Sequence, residues 1–166
     1  MSEVANENKL VVLLNQKPQD SWIRIHPFSK TKYIPIEIVE WLLTRIFIKW
    51  RVEVLDTKLM ANAVLVTVRL HYKDPVTGEW EWQDGIGAQP LQTDKGAGAT
   101  DFNKIKSDAV AKAAPSAESY AIKDAAEKLG KLFGKDLNRK DEMNYDAFLN
   151  KSSDIENRAK KVLGDE

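Results

Sequence analysis

The chain contains no cysteine among its 166 residues. Disulfides and thiolate metal sites are therefore excluded, and the absence fits a reducing cytoplasm. Histidine is also scarce, because only His26 and His71 are present and they lie far apart without the spacing of a metal-binding motif. We expect one exposed histidine, one histidine on a sheet face, no metal site and no cofactor.

Long apolar runs are missing as well. The longest, residues 34–48, is interrupted by Glu37, Glu40 and Arg45, so it does not suit a membrane span. The first eight residues are acidic and polar and lack the pattern of a secretory signal. We therefore expect a cytoplasmic protein without a membrane partner.

The chain has no excess of charge of either sign, since 25 Lys and Arg face 25 Asp and Glu. This balance counts against a histone-like mode of nucleic-acid binding. A local basic groove is still compatible with it, because the field near a surface depends on clustering more than on the sum.

The order of patterns predicts one core with two appendages. Residues 1–20 are interpreted as a flexible N-terminal arm, in which 10–14 could form a short strand; residues 21–137 form the core, and 138–166 a charged helical tail. Within the core, Pro35 suits a first helical turn, and apolar residues then recur at helical spacing, which predicts a helix over 36–47.

Alternation with period two follows that helix. It predicts three strands, over residues 49–55, 61–72 and 79–86. Val64, Val66 and Val68 share one face of the second strand, and the turn signal at 74–78 returns the chain antiparallel. The region thus predicts a three-stranded β-meander.

An amphipathic helix is predicted over 117–133, with Gly134 as its C-cap. It follows a mobile loop at 89–100, a possible short helix at 101–113 and a helix start at Pro115. The predicted fold is α+β, a meander packed against this helix (a β-β-β-α core), with extra N- and C-terminal helices.

Trp80 and Trp82 share one face of the third strand. The favoured interpretation places both in the core under the helix; the alternative is stacking on nucleic-acid bases. Gly85 and Gly87 form only a fragment of a dinucleotide-binding fingerprint, and no helix follows at once. They are better explained by a bulge or by the close approach of another backbone.

The run from Trp82 to Gly87, followed by Ala121 to Gly134, resembles the core of the Rad-fifty-two-like single-strand annealing proteins, in the short form of phage recombination proteins. The resemblance covers about residues 36–137. It implies a β-β-β-α core, assembly into rings or helical filaments, and single-stranded DNA held in a basic groove. It also implies annealing of complementary strands without nucleotide hydrolysis, hence no enzyme activity.

Seven basic residues are the candidates for DNA contact, on the predicted helix and on the strands: Lys123, Lys128, Lys131, Lys135, Lys49, Arg51 and Arg69. The resemblance matches Lys128 and Lys131 to basic positions of the family's helix, with Arg51 or Lys49 as a weaker groove cation. Where the family commonly has two adjacent basic residues, this chain has Glu127 at the first.

The expected partners are single-stranded DNA, further copies of the chain, and a host or phage single-strand-binding protein. Two other functions stay open. A sheet backed by a helix also serves RNA or duplex recognition. A metal-dependent nuclease could use Glu79, Glu81 and Asp84, although their alternation with tryptophan is typical of a solvated sheet face.

Overall fold

The computed structural model describes residues 3–141. The helices are α1 (Glu3–Leu14), α2 (Ile36–Phe47) and α3 (Ala109–Glu127), and the strands are β1 (Arg24–Ile25), β2 (Lys32–Tyr33), β3 (Trp50–Met60), β4 (Ala63–Lys73) and β5 (Trp80–Pro90). Short 3-10 turns lie at Asp20–Trp22, Phe102–Lys104 and Lys131–Phe133. Within residues 3–141, no helix is both long and apolar enough to cross a bilayer.

The chain has an α+β fold, as predicted from the sequence. Strands β3, β4 and β5 form an antiparallel sheet in that order, and α3 packs across one face of β4 and β5. Strands β1 and β2 form a separate two-stranded ribbon. The sheet strands are longer than predicted, since β3 continues to Met60 and β5 to Pro90, so each has 11 residues.

The core lies between the sheet and the helices. Every second residue of the central strand is buried, from Val64 to Leu70. Helix α2 adds its apolar stripe, including the fully buried Leu43. Helix α3 contributes alanines at four-residue spacing, which all lie on its sheet-facing side: Ala109, Ala113, Ala117, Ala121 and Ala125.

Helix α3 rests directly on the backbone of β5. A Cβ atom at Gly85 would lie less than 3.0 Å from the backbone of Ala121 and Ala125, and one at Gly87 equally close to the backbone of Ala117 and Ala121. Side chains are therefore excluded at both positions, and the helix approaches the strand more closely than any other residue pair would permit. The expected close approach of another backbone at these glycines is confirmed.

The predicted boundaries of the main helix are wrong at both ends. Helix α3 is continuous from Ala109 through the exposed Pro115, which cannot donate to the carbonyl four residues earlier. It ends at Glu127 rather than 133. Gly130 follows with a φ of 154°, which L side chains rarely adopt, and the chain then continues in the Lys131–Phe133 turn.

The N-terminal segment also differs from expectation. Helix α1 covers residues 10–14, where a short strand was an option, and its last residue, Leu14, packs against the core with its carbonyl beside Gly130. Of the predicted tail at 138–166, residues 142–166 lie outside the described residues. Asn138 exchanges two hydrogen bonds with the backbone of Lys32, at 2.8 and 2.7 Å.

We predict that Gly85→Ala lowers the free energy of unfolding by about 3 kcal/mol, because the new methyl group forces α3 away from β5. Urea denaturation followed by circular dichroism measures the change. Gly98→Ala is the matched control, since a Cβ there meets nothing closer than an Asp101 oxygen at 3.7 Å. Equal stability of the two variants would contradict the close helix–strand contact.

Candidate nucleic-acid interface

The sheet face opposite α3 is open to solvent, and we call it the outer face. It carries the alternate residues of the three strands that do not point toward the helix. At the start of β3, the end of β4 and the start of β5, this face presents charged side chains and aromatic rings. They are Arg51, Glu53, Arg69, His71, Trp80, Trp82 and Asp84. It is the only place among residues 3–141 where exposed tryptophans and arginines alternate on adjacent strands.

Trp80 and Trp82 lie on this outer face, with exposed fractions of 49% and 51%. The favoured expectation that they pack under the helix is therefore wrong. Side chains alternate between the two faces of a strand, so the tryptophans at even positions point away from the face of Gly85 and Gly87. The glycines must face α3 because only they fit beneath it. The sequence already contained this information, because the two tryptophans occupy even positions and the two glycines odd positions.

Arg69 is held flat against one of these rings. Its guanidinium carbon lies 4.0 Å from the Trp82 ring centroid, and two of its nitrogens donate to the Asp84 carboxylate at 2.7 and 2.9 Å. These charge-assisted hydrogen bonds lower the pKa of Asp84 below its usual range. The pair thus places a fixed cation over one face of the Trp82 ring.

The second tryptophan has a similar neighbour. The guanidinium carbon of Arg51 lies 5.5 Å from the Trp80 ring centroid. Within the described residues, no carboxylate forms an ion pair with Arg51 or with the exposed Lys49 next to it. His71 instead contacts Glu53, with 2.9 Å between Nε2 and Oε2. On the outer face, the start of β3 is thus positively charged, whereas the charged residues farther along the strands form pairs of opposite sign.

The basic residues expected on the helix do not form one continuous row. The ammonium group of Lys123 lies 4.9 Å from the Tyr33 ring centroid and 4.4 Å from that of Tyr120, and burial lowers the pKa of Lys123. The Lys131 side chain is only 13% exposed and lies 3.8 Å from Asp136. Lys135 is half-buried beyond the Lys131–Phe133 turn. Because α3 ends at Glu127, a helical wheel does not describe the positions beyond it.

Lys128 contacts the edge of β5 that has no neighbouring strand. Its ammonium group donates to the Asp84 carbonyl and to Asp124, 3.0 Å away. Asp124 also accepts a hydrogen bond of 3.0 Å from the Ile86 N–H. Two side chains of the α3 region therefore satisfy edge groups of β5 that a neighbouring strand would otherwise bind. Nothing in the sequence pattern had indicated this contact.

A cavity of about 360 Å³ lies beside this edge, between β2, α3 and β5. Lys123, Asp124 and Glu127 line it together with the two tyrosines. Burial, with a smaller contribution from the charge of Asp124, raises the pKa of Glu127 to about 7. The folded chain thus contains a partly buried carboxyl group that gains or loses its proton near neutral pH.

The carboxylates considered for a nuclease are not brought together. Glu81 points to the helix side of β5, whereas Asp84 lies on the outer face and is bound by Arg69. Glu79 precedes the strand. Within residues 3–141, no group of three or more histidine or acidic side chains is arranged to hold a metal ion.

We predict that stability falls as the pH rises from about 4.5 to about 7, because the folded chain binds the Glu127 proton more tightly than the unfolded chain. Glu127→Gln should remove this loss, with a gain of about 1 to 2 kcal/mol at pH 8 after allowance for solvent screening. Urea denaturation at pH 5 and pH 8 measures it, with Glu118→Gln as the control. A gain of the same size at both pH values would contradict the assignment to Glu127.

Comparison with known proteins gives no match, either to a protein-family model or to a curated protein sequence.

Proposed function

We propose that the protein is a cytoplasmic single-stranded DNA-binding protein that anneals complementary strands, and that the outer face holds the DNA. The observation that supports this proposal is the pair Trp80 and Trp82, half-exposed on an open sheet, with Arg51 beside one ring and Arg69 against the other. Exposed aromatic rings next to cations are the elements from which sequence-tolerant single-strand sites are built.

The spacing of the two rings suits successive nucleotides. Residues two apart on one strand lie about 7 Å from each other on the same face, and an extended single strand places its bases at a comparable distance. Stacking uses the face of a base and leaves its hydrogen-bonding edge available. A strand held in this way can still pair with a complementary strand, and annealing needs neither a nucleophile nor a metal.

The charges of the outer face favour phosphate contact at one side. Lys49 and Arg51 lie at the start of β3 without a carboxylate partner among the described residues, whereas Arg69 is already paired with Asp84 and His71 contacts Glu53. We therefore place the bases over the tryptophans and the backbone along the β3 side. Few phosphate contacts imply a modest dependence of binding on salt concentration.

Single-stranded RNA is the strongest competing ligand, because the same rings would stack on its bases. A duplex fits less well, since its bases are already stacked and hidden. Competition of single-stranded DNA, single-stranded RNA and duplex DNA of equal length separates these possibilities. Preference for the duplex would remove the tryptophan pair from the binding site.

We predict that Trp80→Ala and Trp82→Ala each weaken binding to an oligothymidylate by about 1 to 3 kcal/mol, the range typical of one lost stacking contact. Both side chains are half-exposed, so the fold should persist. Fluorescence anisotropy of a labelled oligonucleotide measures the affinity, and annealing of complementary labelled strands should slow in the same variants.

The matched control is Trp41→Ala, because Trp41 is 50% exposed but lies on α2. It should leave DNA affinity unchanged. A loss of affinity in the Trp41 variant equal to that in the Trp82 variant would show a nonspecific effect. Unchanged affinity in both outer-face variants would overturn the proposed site.

We further predict that Lys49→Ala combined with Arg51→Ala reduces the slope of log affinity against log salt concentration by about 1 for each lost phosphate contact. Lys128→Ala with Lys131→Ala should change this slope little, because both ammonium groups are held by the protein. Titrations at several salt concentrations provide the comparison. The reverse result would move the DNA path from the sheet to the end of α3.

A further inference from the structure

Strand β3 forms one edge of the sheet, and its backbone is open for pairing. The Lys73 N–H donates to the Lys49 carbonyl at 2.9 Å, so this residue pair is a hydrogen-bonded one. Hydrogen-bonded and non-bonded pairs alternate in antiparallel sheets. Beyond the register shift between Val54 and Asp56, the alternation resumes. The backbone groups that point outward are therefore those of Trp50, Val52, Val54, Thr57 and Leu59.

Within the part of the chain that the structure describes, no hydrogen bond reaches the outward groups of Val52, Val54 and Leu59, whereas the Thr57 N–H contacts the neighbouring Asp56 carboxylate. The other edge differs, because Asp124 and Lys128 already occupy backbone groups of Ile86 and Asp84 on β5. The two edges of one sheet are thus unequal: one is covered by side chains and the other is not.

Apolar side chains are exposed along the open edge. Val54 is 51% exposed, Leu59 61% and Met60 57%. Helix α3 packs over β4 and β5 and leaves β3 largely uncovered. An edge strand that is long, unpaired and apolar is a site at which another strand adds.

We propose that this edge binds the same edge of a second copy of the chain, in antiparallel register about a two-fold axis between Leu55 and Asp56. In this register Val52 lies opposite the partner's Leu59, and Val54 lies opposite the partner's Thr57. All of these residues carry outward backbone groups, so each such pair can exchange two hydrogen bonds. The two strands then continue one sheet through both copies.

The side chains match in this register. Val52, Val54, Thr57 and Leu59 all lie on the helix side of the sheet, so apolar residues meet apolar residues or a threonine. On the outer face, Glu53 lies opposite the partner's Lys58, and the two-fold axis repeats the pair. Lys58 pairs with Asp56 of its own chain at 2.8 Å and Glu53 contacts His71 at 2.9 Å, but both side chains are still more than half exposed, at 53% and 58%. Opposite charges directly across strands attract, so each can also contact the other across the interface.

The bulge supports the same axis. A bulge leaves an extra residue that a regular partner strand cannot match. In the two-fold register the extra residue, Leu55, lies opposite the partner's Asp56 in both copies, so both strands carry one additional residue between Val54 and Thr57 and the two halves of the ladder stay aligned. A strand without a bulge would pair with only one half of β3.

This contact does not depend on the proposed nucleic-acid function, since it pairs the backbone edge of β3 and does not involve Trp80 or Trp82 on β5. A two-fold contact closes on itself and gives a dimer. The rings or filaments implied by the resemblance would therefore require a second, different contact.

Reversal of one charge tests the register. Glu53→Lys and Lys58→Glu each place like charges opposite one another at both symmetric positions and should raise the dimer dissociation constant by roughly tenfold or more. The double variant, Glu53→Lys with Lys58→Glu, should restore it. Sedimentation velocity of the full chain without DNA, over a range of concentrations, provides the measurement, and urea denaturation confirms that each variant is folded.

Leu59→Pro is a second test, because proline removes an outward N–H without affecting the bonds to β4. It should also dissociate the dimer. Glu81→Lys on β5 is the matched control and should leave self-association unchanged. The proposal is overturned if the wild-type chain stays monomeric, if the single charge variants associate like wild type, or if the double variant fails to recover. It is also overturned if association survives Leu59→Pro.

Discussion

The contact between the backbone of β5 and the alanine side of α3 determines most of this structure. Gly85 and Gly87 admit the helix to a distance at which no side chain fits. Because these two residues face the helix, the alternation of side chains along β5 determines which face of the sheet each remaining residue occupies. The tryptophans are consequently displayed on the opposite surface, and the proposed binding site is a geometric result of how the helix is seated.

The same contact explains the difference between the two sheet edges. Because α3 lies over β4 and β5, its polar side chains at Asp124 and Lys128 reach the β5 edge and bind it. Strand β3 receives no comparable cover. The position of one helix therefore covers the backbone of one edge and leaves the backbone of the other edge exposed.

The sequence predicted the fold well and the binding surface poorly. The meander, the helix over 36–47 and the close approach at the glycines were predicted because period-two and period-3.6 patterns and glycine spacing report directly on backbone geometry. Helix α3 was placed eight residues too late because Pro115 was interpreted as a helix start, whereas the helix begins at Ala109 and continues through this proline. The lysines expected along the predicted helix do not share one face for a related reason. A helical wheel extended to residue 133 does not describe the residues after Glu127, where α3 ends. Lys128 and Lys123 each have one neighbour on the same helix face, Asp124 and Tyr120. Their other contacts, with the Asp84 carbonyl and the Tyr33 ring, join positions far apart in sequence, and no local pattern contains that information.

The arrangement of Arg69 has a consequence for conformational entropy. A long arginine side chain normally loses up to about 2 kcal/mol of rotamer freedom when a ligand immobilises it. Here the Asp84 fork and the Trp82 ring already hold the guanidinium in one orientation. A base that stacks on this tryptophan therefore meets a surface that is ordered before it arrives, and little of the binding free energy is lost in arranging it.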